Sequence, residues 1–103
     1  TLSYDMDHMT EVFQAGLRHP GFAYIEVLQL CPTYNRVQNR EWYEKNIVHV
    51  GNGYMPNRES FLACLKLAKM PVGVLLNEPR ENHVQTRKNL IEGVKKYDIA
   101  FLL

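Results

Sequence analysis

The chain has 103 residues, 46% hydrophobic and 22% charged, the proportions of one ordinary globular domain and not of a disordered or fibrous chain. A formal charge of +1 gives no concentrated basic surface, so neither nucleic acid nor an anionic membrane is an expected partner. No apolar run nears the roughly 20 residues that cross a bilayer, and the first residues lack a basic-then-apolar leader, so a cytoplasmic protein is expected. Cys31 and Cys64 fit no zinc spacing and are too few for a secreted disulfide scaffold. A first residue that is Thr1 and not methionine hints at a piece cut from something longer.

Residues 5–18 place Met6, Met9, Val12, Phe13 and Leu17 along one stripe, which predicts an amphipathic helix. Asp5 is its candidate cap, and His19-Pro20-Gly21 ends it. Residues 22–30 read FAYIEVLQL, nearly all apolar and rich in aromatic and β-branched side chains, which predicts a strand buried on both faces. A helix feeding such a strand is half of a βαβ unit, and parallel sheets built from these units bind ligands beyond the carboxyl ends of their strands. The run Cys31-Pro32-Thr33-Tyr34-Asn35 occupies that end.

A short helix over residues 39–48 is predicted from Trp42, Tyr43 and Ile47, and Gly51, Gly53 and Pro56 mark residues 49–57 as a loop. Asn57 caps a predicted helix through residue 69 with Phe61, Leu62, Leu65 and Ala68 inside. Pro71 closes it, and VGVLL at residues 72–76 reads as a second short buried strand. After a turn at residues 77–82, a last helix over 81–97 would put Val84, Leu90, Ile91 and Val94 inside, with Arg87, Lys88, Lys95 and Lys96 as a basic outer face. The tail IAFLL at residues 99–103 is costly to leave in water and is expected to dock on a partner surface. Two short strands and three or four helices predict an α/β fold with a partial parallel sheet and flanking helices, a piece that packs against a larger body.

The densest site candidate is the strand end, where the Cys31 thiol, the hydroxyls of Thr33 and Tyr34 and the Asn35 amide meet at the place an open α/β sheet holds its ligand. On chemistry alone Cys31 reads first as a small buried hydrophobe, with Pro32 as a strand stop and Thr33 or Asn35 as a turn cap. His8, His19, His49 and His83 have no metal-ligand spacing and are assigned surface or capping roles. Glu26, inside the apolar strand, needs a basic partner or a raised pKa, and a site carboxylate is the alternative. The Trp42-Tyr43 pair and Cys64 read as core.

The run from His19 to Asn35, HPGFAYIEVLQLCPTYN, resembles a segment of 2-oxoacid:ferredoxin oxidoreductase β subunits. There, a Gly-Phe-(small)-(aromatic)-(aliphatic)-(acidic)-Val-Leu strand runs into Cys-(Pro or Val)-Thr-(aromatic)-Asn. Downstream, Met70-Pro71-Val72-Gly73-Val74 is similar to the family's Ile-Pro-(Ile/Val)-Gly-(aliphatic) strand. The resemblance implies the carboxyl-terminal portion of a thiamine-diphosphate-binding fold. Residues 1–48 would end the thiamine-diphosphate-binding domain, and residues 49–103 would form a carboxyl-terminal extension.

It further implies a complex of this β subunit with an α (or α, γ and δ) subunit that oxidatively decarboxylates a 2-oxoacid with coenzyme A and passes electrons to ferredoxin. The intact complex would carry thiamine diphosphate, magnesium and [4Fe–4S] clusters, with none bound by this piece alone. In that family the cysteine at the Cys31 position is, where a cluster is present, a remote fourth ligand whose three companions lie near the subunit's amino terminus, and Thr33 and Asn35 border the cofactor. The family's Gly-Asp-Gly diphosphate segment lies upstream; Gly51-Asn52-Gly53 lacks the acidic residue magnesium requires and reads as a turn. The choice among pyruvate, 2-oxoglutarate and branched-chain substrates is not encoded here. Two rival readings are a non-catalytic subunit-interaction domain, and a hydrolase or transferase with Cys31 as nucleophile, for which no histidine is placed by sequence as a base.

Overall fold

In the computed structural model, which describes residues 1–95, the elements run α1 (Met6–Arg18), α2 (Arg40–Asn46), β1 (Ile47–His49), α3 (Arg58–Cys64), β2 (Met70–Val72) and α4 (His83–Lys95). Each of the first three helices starts where a short polar side chain replaces the missing intrahelical partner of an amide. Asp5 accepts from the His8 amide at 3.1 Å, Asn39 from Trp42 at 2.9 Å and Asn57 from Ser60 at 2.9 Å. Such caps are worth about 1 kcal/mol apiece. Asn82 does the same for α4, accepting from the Gln85 amide at 2.8 Å. On α2 the pairs Arg40–Glu44 and Lys45–Glu41 follow the i,i+4 rule. Both are exposed and contribute only tenths of a kcal/mol.

β1 and β2 are parallel, in the register Ile47↔Met70, Val48↔Pro71 and His49↔Val72. With α3 in the crossover they make a βαβ unit, and the Val50 amide extends the ladder by donating to the Val72 carbonyl at 2.9 Å. Pro71 has no N–H to give a ladder and here fills an intermediate-burial position of the three-residue strand. The strand stops at Gly73, whose φ of +136° is a conformation other residues avoid. A Cβ at Gly73 would also collide with the Val50 side chain. The second strand is therefore Met70–Val72 and not residues 72–76.

A second parallel contact sits at the other side of α1, where Leu2 bridges Leu28. The Leu28 amide donates to the Thr1 carbonyl at 2.8 Å, and Ser3 donates to Leu28 at 2.9 Å. Residues 22–30 are extended but do not form the expected doubly buried strand: Phe22 is 87% and Tyr24 78% exposed. A strand requires a backbone neighbour along its length, and among the described residues only this short bridge supplies one. Glu26 is likewise exposed, so its carboxylate is not buried among the described residues. The segment is seated on α1 through Gly16, where a Cβ would lie 2.8 Å from Ile25 Cδ1.

The buried apolar side chains among the described residues are Leu2, Tyr43, Cys64 and Val72. Tyr43 meets Trp42 edge-to-face at 5.2 Å, and Arg40 lies 4.9 Å over the Tyr4 ring, joining α2 to the first residues. Elsewhere the apolar stripes are bare. Leu17 of α1 is 84% exposed, and Val84, Leu90 and Ile91 of α4, expected inside, are also exposed. Between residues 22–28 and the β2 segment runs an open groove of about 1010 Å³, floored by Val12, Ala15, Gly16, Phe61 and Leu65. No helix of the described residues is long and apolar enough to cross a membrane. The expected Val94 contact and the apolar tail at 99–103 lie outside the described residues and side chains.

Candidate functional site

The Cys-Pro-Thr-Tyr-Asn run forms a turn at the carboxyl end of the extended segment. It is closed by the Asn35 amide, which donates to the Cys31 carbonyl at 2.9 Å. The Asn35 side chain is used inside the same loop: its Oδ1 accepts from the Gln38 amide at 3.0 Å, and its Nδ2 donates to Gln38 Oε1 at 2.6 Å. Pro32, Thr33 and Tyr34 are exposed, and the free Cys31 thiol is half-buried. The turn thus offers one thiol and the exposed hydroxyls of Thr33 and Tyr34, with Asn35 acting as its staple.

A half-buried thiol on a short turn suits one ligand of an iron–sulfur cluster, which needs thiolates from four positions. Cys64 cannot be a second, since it is buried at the end of α3 with its Sγ donating to the Tyr54 hydroxyl at 3.5 Å. For a magnesium diphosphate the turn offers only neutral oxygens and no carboxylate, and the Asn35 oxygen already accepts one hydrogen bond from the Gln38 amide.

The remaining candidate residues fall into structural roles. Gly51-Asn52-Gly53 is a tight turn closed by the Tyr54 amide on the Gly51 carbonyl at 3.1 Å, with Gly53 at φ +96°. Tyr54 then reaches into the βαβ unit and donates to the Leu75 carbonyl at 2.7 Å. Burial first, and then the Cys64 contact, push its phenol up to about 12. His19 bonds Asn77 Oδ1 at 2.9 Å through Nδ1. The Asn77 amide donates to the Pro56 carbonyl at 2.6 Å, so His19 ties the end of α1 to the loop that caps α3.

The histidines are not all scattered. His8, in the first turn of α1, and His49, at the end of β1, have ring centroids 4.8 Å apart at 74°. One ligand atom from each, together with one from Asp5, lie within 4.8 Å of one another. His8 Nδ1 is hydrogen-bonded to the Thr1 hydroxyl at 2.9 Å. Burial, and then the imidazole of His49, hold His8 below its ordinary 6.5. The only local signal of this cluster is the i,i+3 spacing of Asp5 and His8; its third member is brought in by the sheet, which spacing cannot reveal.

Residues 31–93 match the family model for the C-terminal region of the pyruvate ferredoxin oxidoreductase beta subunit. A 2-oxoacid:ferredoxin oxidoreductase subunit beta from a Sulfolobus species is 47% identical over 45 residues, 44% of this chain and 15% of that protein. Subunit beta of 2-oxoacid:ferredoxin oxidoreductase 2 from Aeropyrum pernix is 28% identical over 106 residues, 88% of this chain and 34% of that protein. The chain therefore spans about a third or less of the relatives it matches. No solved structure is similar enough to count as a match.

Proposed function

Because the chain belongs to the family formed by the C-terminal regions of pyruvate ferredoxin oxidoreductase β subunits, we propose that it serves as part of the β subunit of a complex oxidising a 2-oxoacid to acyl-CoA with ferredoxin as electron acceptor. The observation that carries this reading is the family match starting at Cys31 itself, with that thiol free and half-buried on an accessible turn. Cys31 supplies one thiolate to a [4Fe–4S] cluster whose remaining ligands come from the rest of the subunit. The cluster, when bound, accepts electrons released as the 2-oxoacid is oxidised. The exposed Thr33 hydroxyl borders the thiamine diphosphate pocket as a donor. Asn35 keeps the turn in shape through Gln38 and so holds Cys31 and Thr33 in place beside the cofactor.

The bare groove and apolar helix faces support the same reading. Phe22, Tyr24 and Leu17 are too costly in water to serve a free domain, at about 25 cal/mol per Å² of apolar surface. The remaining two thirds or more of a subunit of the relatives' length is ample to cover them. In the test, the complete complex with Cys31→Ser is compared with the native one for iron content, visible cluster absorbance and coenzyme-A-dependent ferredoxin reduction with pyruvate and with 2-oxoglutarate. Loss of about one cluster per β subunit, with the subunits still assembled, is expected. An undiminished cluster signal would remove Cys31 from the ligand set.

A further inference from the structure

The geometry points to a mononuclear divalent transition-metal site formed by Asp5, His8 and His49, separate from the Cys31 turn and independent of the function proposed above. Two imidazoles and one carboxylate are a donor set suited to zinc and its neighbours, and three protein ligands leave coordination positions for water. Ligand atoms already within 4.8 Å of one another must close to roughly 3.3 Å to share an ion at zinc bond lengths of about 2.0–2.1 Å.

The backbone around the three residues is fixed for independent reasons. His8 sits in the first turn of a capped helix, and His49 is in ladder register with the buried Val72. The Thr1 hydroxyl engages His8 Nδ1, which orients the ring and leaves Nε2 for an ion, as outer partners of metal-binding histidines commonly do. Asp5 caps α1 with Oδ1, and Oδ2 remains for the metal. A cavity of about 250 Å³, lined by His8, Glu11, Val50, Tyr54 and Gly73, adjoins the cluster. It has room for metal-bound water, with the Glu11 carboxylate on its wall.

The test uses the full-length subunit in its assembled complex, treated with a mild chelator and then equilibrated with Zn²⁺. Bound zinc is measured alongside iron. Asp5→Asn keeps the helix cap, since asparagine caps as well as aspartate, while removing the anionic ligand. His49→Ala removes an exposed side chain that the core does not need. One zinc per chain is expected, with affinity falling at least tenfold in each variant while iron content stays constant. Zinc-edge absorption should show nitrogen and oxygen neighbours at about 2.0–2.1 Å. Failure to retain zinc, native affinity in both variants, or a sulfur shell near ~2.3 Å that places the ion on cysteines would each overturn the assignment. Iron content, read separately, keeps a failure of this site distinguishable from a failure of the Cys31 cluster.

Discussion

Replacing Gly73 by alanine should open the β1–β2 sheet. Two costs combine at this position. A non-glycine residue held at φ +136° carries about 1–3 kcal/mol of backbone strain. The new Cβ would also overlap the Val50 side chain, and overpacking of this kind costs about 1–3 kcal/mol. Val50 is only half-buried and can yield part of the overlap, so the sum is placed near ~3 kcal/mol, about a hundredfold in an equilibrium at 1.4 kcal/mol per decade. Hydrogen exchange of the Val50 amide reads this directly, because that amide donates to Val72 across the ladder end. In the full-length subunit its protection factor should fall by about a hundredfold in Gly73→Ala. Gly53→Ala is the control: its φ is +96° but a Cβ there meets nothing within 4 Å, and its effect on Val50 should be small. Adding Val50→Ala to Gly73→Ala should restore roughly the overlap half of the loss. If Gly73→Ala left Val50 protection within twofold of native, the reasoning would be refuted.

Tyr54 should ionise near 12 in a spectrophotometric titration. Since the fold favours the neutral phenol, its contribution is complete below the ordinary value of 10 and is lost as pH rises toward 12. Tyr54→Phe should remove that component of alkaline destabilisation and cost about 1 kcal/mol at neutral pH through the orphaned Leu75 carbonyl; an unchanged alkaline slope would reassign it. Asn39→Ala should weaken α2 by about 1 kcal/mol, visible as faster exchange of the Trp42 amide, while Asn39→Asp should leave it near native.

Local chemistry is legible where it acts locally. Asp5, Asn39 and Asn57 start helices because a polar side chain reaches an amide three residues on, which is visible in any window of sequence. The α3 crossover and the buried Cys64 follow from apolar spacing, although α3 ends at Cys64 and not near residue 69. Residues 22–30 mislead because composition reports that a segment wants burial, while a strand also needs a neighbour. The same limit explains the exposed α4 stripe. At the Cys31 turn the residue types are readable, but the commitment of both ends of the Asn35 amide to Gln38 is not. The Asp5, His8 and His49 cluster joins residues 41 positions apart in its histidine pair, and β1, which delivers His49, reads in sequence as the end of a helix and a loop.

The contact of Gly16 with Ile25 sets a rule for how this sequence can drift over generations. A methyl group at residue 16 would press on the tip of the Ile25 side chain, and that tip can swing aside or be shortened. Enlargement at 16 is therefore tolerated when residue 25 shrinks, for example to valine. Beyond a methyl, the extended segment must lift from α1 and carry the Cys31 turn with it. The two positions are expected to change as a pair across descendants, and the partner of the cysteine's local geometry in such a record is a glycine fifteen residues before it.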